Sequence, residues 1–182
     1  MAETLQQPKE RLQPVLLDRL TDDTPDEASE GREKRVLTER QLRQAVLRDL
    51  GWLLSTANLE SRFEHGEMSD VTRQSLDAET FPEVARSVLN YGSVPVAGLG
   101  LSGIDTALLE QRVRQAILTF EPRLLADSVT IKTLAAREQM SLNALVFTID
   151  ANLWAQPLPL HLYIRTEIDV ETGETRLRET TG

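Results

Sequence analysis

The sequence predicts an α+β fold: N-terminal helices followed by a small antiparallel β-sheet packed against them. Three observations carry that prediction. Apolar residues recur at helical spacing up to about residue 120. From about residue 128 the period changes to alternation, the signature of strands with one face buried. One block of helices followed by one block of strands is an α+β order, not the alternating βα order of a parallel sheet. With 182 residues, 40% of them apolar and 27% charged, the chain can bury one core domain and carry a tail.

The tail spans 1–35 and reads as an N-terminal docking segment joined to an acidic flexible linker. LQPVLLDRL has Pro14 suited to a helix start, and Leu12, Val15, Leu16, Leu17 and Leu20 make it strongly apolar. Leu16, Leu17 and Leu20 are therefore candidate docking residues, on the chain's own domain or on a partner. Between Thr21 and Glu30 lie Asp22, Asp23, Asp26, Glu27 and Glu30, with no basic residue and with Pro25 interrupting. Such a stretch buries too little apolar surface to offset its ordering entropy.

The domain proper spans 36–182 as a single α+β unit. Thr38 and Gln41 have the spacing of a capping box. Leu42, Val46, Leu50, Leu53, Leu54 and Ala57 then predict an amphipathic helix over 38–57. Asp49 falls within its apolar face, four residues from both Ala45 and Leu53. A buried carboxylate there requires an arginine or backbone donors, which makes Asp49 a structural buried acid.

A second helix is predicted from Pro82 to Tyr91, closed by Gly92. Asp105 caps a third, whose stripe is Leu109, Val113, Ala116, Ile117 and Phe120, and which Pro122 ends. Strands follow at 128–134, 144–150 and 160–170. In the last, Leu160, Leu162, Ile164, Ile168 and Val170 face inward, while His161, Tyr163, Arg165, Glu167 and Asp169 face outward. Thr172-Gly173 marks a turn, and ETRLRE returns as a further strand.

Composition removes several functions. Acidic residues outnumber basic ones 29 to 20, a net charge of −9, the wrong sign for a nucleic-acid binder or for docking on an anionic membrane. The chain has no cysteine, which excludes disulfides, thiol nucleophiles and thiolate metal sites. No apolar run approaches the roughly 18 residues of a membrane span, and MAETLQQPKERLQP has no apolar signal core. A cytoplasmic protein is expected.

Motifs thin out on inspection. Gly98, Gly100 and Gly103 match G-x-G-x-x-G, but a dinucleotide site needs a buried strand just before it, and only Val94-Pro95-Val96 precedes. His65 and His161 lack a second ligand at helical or strand spacing, so no metal or cofactor is expected. Four Phe, two Trp and two Tyr form no stacking platform.

Glu121-Pro122-Arg123 stands out. Glu121 sits at the negative end of the third helix dipole, where an anion is disfavoured by about 0.3–1 kcal/mol. Pro122 fixes the backbone, and Arg123 follows at once. Such an acid is either neutralised by a local arginine or reserved for a partner. Because Pro122 constrains the backbone, the two charges are expected to project from a stiff corner and to serve association more than stability; partly exposed, their mutual pairing adds at most about 1 kcal/mol. Substituting either would then shift the melting temperature little.

LLDRLTDD, RDLGWLLST, ARSVLNYG, FEPRLL and LWAQPLPLHLYIRTEIDVETG together resemble the TssE family, the sheath initiators of type VI secretion baseplates. That family falls within the wedge proteins of contractile-tail phage baseplates, once labelled lysozyme-like. The resemblance implies a non-enzymatic assembly protein with TssF, TssG and TssK as wedge partners and the TssB–TssC sheath as the structure it initiates. It also implies docking to the wedge through Glu121, Pro122 and Arg123. Two alternatives differ in class. A peptidoglycan glycosidase needs two carboxyl groups facing each other across a sugar cleft, and only Glu121 can be nominated. A small adaptor regulator of proteolysis is the other role hosted by a similar fold.

Overall fold

The computed structural model describes residues 16–20, 25–26, 37–59, 81–97, 105–134, 144–155 and 158–180. The described helices are α1 (Leu16–Leu20), α2 (Glu39–Ser55), α3 (Pro82–Ala85) and α4 (Thr106–Phe120). The described strands are β1 (Thr130–Thr133), β2 (Ala144–Leu153), β3 (Leu160–Asp169) and β4 (Thr175–Glu179). They form one antiparallel meander in the order β1-β2-β3-β4. The fold is α+β, as the change of period predicts.

The helix ends follow local chemistry. Thr38 is extended, and its hydroxyl accepts from Gln41 N at 3.3 Å while Gln41 Oε1 accepts from Thr38 N at 2.9 Å. That reciprocal pair satisfies two N–H groups that the first turn of α2 leaves open. The Asp105 carboxylate accepts from Leu108 N at 3.1 Å and starts α4. Pro122 cannot continue that helix.

One predicted helix is not there. Residues 82–91 form α3, then a 3₁₀ turn at Val88–Asn90, separated by Ser87 in extended backbone. The Ser87 hydroxyl bonds to Val84 O at 2.8 Å and accepts from Leu89 N, so it ends one turn and caps the next. Val88 and Leu89 stay exposed, so no buried stripe draws the segment into a longer helix. Gly92, at φ +132°, is therefore not a helix cap. A Cβ there would lie 2.8 Å from Asn58 N and 2.9 Å from Ala57 C, so only glycine admits the close approach of two backbones. That approach is stitched by Ser93 N to Thr56 O (2.8 Å) and Asn58 N to Ser93 O (3.0 Å).

The core lies between the helices and one face of the sheet. Val46, Leu50 and Leu53 of α2 and Val113 and Ile117 of α4 pack in one cluster with Phe147, Ile149, Leu153, Leu162 and Ile164. Burying each such side chain contributes about 1.5–3 kcal/mol. β3 alternates as predicted, with Thr166 as an unforeseen polar member of its inward face. β2 does not alternate: Val146 and Thr148 are buried as well as Leu145, Phe147 and Ile149. Its outer face is flanked in the register, Thr148 standing between Lys132 and Arg165; β3 is equally central and alternates, so position in the sheet alone does not bury that face. The return to β4 turns on Gly173 at φ +74°, with the Asp169 carboxylate accepting from Glu171 N and Thr172 N at 2.9 Å each.

The sheet's two edges differ. Beside β1, α4 supplies Glu110, which accepts from Thr133 N at 2.6 Å, and Arg114, which donates to Val129 O at 3.0 Å. Those side chains occupy backbone groups that an added strand would use. Among the described strands, β4 pairs with β3 alone. Thr180 N donates to Tyr163 O, so the antiparallel alternation turns the N–H groups of Arg178 and Arg176 toward β3 and those of Glu179, Leu177 and Thr175 outward.

Candidate functional site

The corner after α4 is built into the end of β2. Glu121 N still donates to Ile117 O at 2.8 Å, the last helical bond. Leu124 N then bonds to Glu121 O, Leu125 N to Asn152 O at 2.8 Å and Trp154 N to Arg123 O at 2.7 Å. The backbone at 121–125 is thus fixed from both directions, with the φ of Pro122 restricted as well.

The side chains do not both project. Glu121 is 3% exposed, and both its oxygens accept from Arg123, Oε1 from Nε at 2.5 Å and Oε2 from Nη2. Of the two readings open from sequence, the local arginine is the one observed, and an exposed pair of charges at the corner is not. Only Pro122 is exposed there. Burial removes the solvation of both ions, and the two-pronged guanidinium contact offsets that cost.

Arg123 reaches further. Its Nη2 donates to Asp49 Oδ2 at 2.6 Å, across 74 residues of sequence. Arg48 Nε donates to the other Asp49 oxygen at 2.9 Å, and Arg48 Nη1 to Asp18 Oδ1 at 2.6 Å. The result is a chain of alternating charge, Glu121–Arg123–Asp49–Arg48–Asp18, running from α4 through α2 to α1. Burial alone lowers the Arg123 guanidinium pKa, but its bonds to Glu121 and Asp49 outweigh that and leave it raised. Arg48 behaves alike, burial being outweighed by Asp18 and Asp49. Tyr91, whose ring meets Phe120 edge-on at 5.3 Å, has its hydroxyl pKa raised by burial and then by the charges of Asp49 and Glu121.

A cavity of about 310 Å³ opens beside this chain of charges. Leu16 and Leu17 of α1, Trp52 and Leu53 of α2, Tyr91 and Phe120 form its apolar walls, and Asp49, Glu121 and Arg123 its polar end. The Arg48 guanidinium lies over the Trp52 ring at 5.3 Å. Among the described residues, three buried polar atoms of the network have no hydrogen-bond partner: Asp18 Oδ2, Arg48 Nη2 and Arg123 Nη1.

The structure thus brings together Glu121, Arg123, Asp49, Leu16 and Leu17 from the residues singled out in sequence. Leu20 does not line the cavity and is 74% exposed. Asp18, Arg48, Trp52, Tyr91 and Phe120 were missed as site residues. The one available signal was Arg48 adjacent to Asp49, a cation beside an acid already marked as needing one. His161 lies elsewhere, bonded across β2 and β3 to Asp150 at 2.8 Å. His65 and the glycines at 98–103 lie outside the described residues.

The arrangement can hold and recognise. A glycosidase needs carboxyl groups placed across a cleft, whereas Asp49 and Glu121 converge on a single guanidinium. No group of three residues with metal-binding side chains occurs among the described residues. No described helix is long and apolar enough to cross a membrane.

A family model described as baseplate wedge protein gp25 matches residues 40–158, from α2 through β2, and so includes Asp49 and the whole 121–123 corner. No curated protein and no solved structure gave a match.

Proposed function

We propose that this chain, which belongs to the baseplate wedge protein gp25 family, joins the wedge of a type VI secretion baseplate to its contractile sheath. Family membership makes it a structural baseplate protein. The finer reading is a cytoplasmic, non-enzymatic TssE-type subunit that binds TssF, TssG and TssK and starts polymerisation of the TssB–TssC sheath.

The observation that carries the reading is the corner at Glu121, Pro122 and Arg123. It is braced by Asp49 from below and bordered by Trp52, Leu16 and Leu17. A rigid arginine beside exposed apolar and aromatic surface is what association concentrates its energy on. The sheet supports the second half. At β1, α4 side chains take the outward Thr133 N–H and the Val129 carbonyl just before the strand, while β4 is an edge with outward N–H groups at Thr175, Leu177 and Glu179. A sheath strand adds there by β-augmentation, with main-chain hydrogen bonds supplying affinity. The wedge half is tested by capture: tagged full-length chain should retain TssF and TssG from lysate, and Arg123→Ala should lose them. Capture unaffected by that substitution contradicts the assignment of the corner.

A further inference from the structure

One wall of the cavity beside Arg123 is an occupant of the surface around it, α1. α1 lies at its mouth with Leu16 and Leu17 in the wall and Asp18 on Arg48. Several features make this occupant a loose one. α1 has five residues, too few to hold helical form unaided. Leu16 is 70% and Leu20 74% exposed, so much of its apolar surface remains in water. Its ion pair is half made: Asp18 gives one oxygen to Arg48, while Asp18 Oδ2 and Arg48 Nη2 are both buried without a partner. Buried polar atoms left unpaired weaken the contact that buries them.

The receptor side is better prepared than its occupant. Asp49 spans Arg48 and Arg123, holding the two guanidinium groups within the width of one carboxylate. Each keeps one unpartnered donor, Arg48 Nη2 and Arg123 Nη1. With Asp18 withdrawn, Asp49 and Glu121 balance Arg48 and Arg123, so the site takes one incoming carboxylate without net repulsion. The walls ask for leucine-sized apolar groups.

We propose that the surface of α2 and the 121–123 corner that α1 covers is a receptor for a short apolar helix bearing one carboxylate, that α1 covers it in cis while leaving the cavity between them unfilled, and that a wedge partner's helix of the same chemistry displaces α1 on assembly. α1 is then a strap that shields the corner until the partner arrives. The displacement step rests on the wedge reading above; the receptor itself does not.

The test uses a fluorescein-labelled peptide of residues 12–23, LQPVLLDRLTDD, titrated against the full-length chain and followed by anisotropy. A Leu17→Lys/Asp18→Ala chain, whose own strap is weakened, should bind it at least tenfold more tightly than the unsubstituted chain. The same peptide carrying Asp18→Ala should bind that variant at least tenfold more weakly. Equal affinity for both chains, or no binding to either, overturns the receptor. Both substitutions lie outside the core, and a second variant, Leu16→Lys/Leu17→Lys, must give the same order. In the second arm, unlabelled peptide should release the chain from captured wedge proteins; failure to compete overturns displacement. Absence of capture by the unsubstituted chain refutes the wedge role and leaves the peptide titration standing.

Discussion

Glu121→Gln separates a structural role of the corner from an associative one. The substitution keeps shape and removes charge from a side chain that is 4% exposed and accepts three hydrogen bonds from Arg123, through Nε, Nη2 and the backbone N. Breaking a buried ion pair by removing one partner costs about 3–5 kcal/mol. Arg123 keeps Asp49 at 2.6 Å and is 19% exposed, which places the loss at the lower end, about 3 kcal/mol. For a chain of this size each kcal/mol moves the melting temperature by about 2–4 °C, so the expected drop is about 6–12 °C. Thermal unfolding followed by far-UV circular dichroism measures it. A drop below about 2 °C, with wedge capture nonetheless abolished, would show that the charge serves association alone and refute the argument from burial.

Other substitutions test other parts of the account. Gly92→Ala places a Cβ against the backbone of Ala57 and Asn58 at a φ of +132°, and should destabilise by at least about 2 kcal/mol in urea unfolding. Gly51→Ala is its control: in the interior of α2 a Cβ meets only Leu177 Cδ1 at 3.9 Å, so a gain of about 0.5–1 kcal/mol is expected. Tyr91 predicts an alkaline limit. Its hydroxyl pKa is raised by burial and by Asp49 and Glu121, so above about pH 10 the unfolded chain releases this proton first and stability falls. Tyr91→Phe should flatten that fall and leave stability at pH 7 within about 1 kcal/mol, because the hydroxyl makes only a 3.5 Å contact to Asp49 O.

What was legible in the sequence was local or periodic. The Thr38–Gln41 box, the Asp105 cap, the alternation of β3 and the turn at Gly173 each declare themselves within a few residues. The segment 82–91 misled because Pro82 and Gly92 look like helix ends, while what decides is Ser87 between them and the absence of a buried stripe. β2 misled in a different way: its outer face is buried while that of β3, equally central in the pairing order, is not, and the alternation of the sequence does not carry that difference. At the site, Glu121–Arg123 is two residues apart and readable as a pair. Arg123–Asp49, at 74 residues, and Arg48–Asp18, at 30, exist only once the helices are packed. Asp49's need for an arginine was legible, though its carboxylate is half-buried at 23% exposure rather than buried as expected; which arginine was not.

The central claim is that this chain carries the sheath's first strand on a wedge. Reconstituted wedge containing TssF, TssG, TssK and the full-length chain, mixed with TssB–TssC and imaged by electron microscopy, tests it directly. Sheath should grow from wedges holding the unsubstituted chain. It should not grow from wedges holding Thr175→Pro, which removes an outward N–H at the start of β4 and leaves the N–H groups facing β3 in place. Both wedges should retain the chain equally. Equal sheath growth from wedges with Thr175→Pro, or from wedges lacking the chain altogether, would contradict the account.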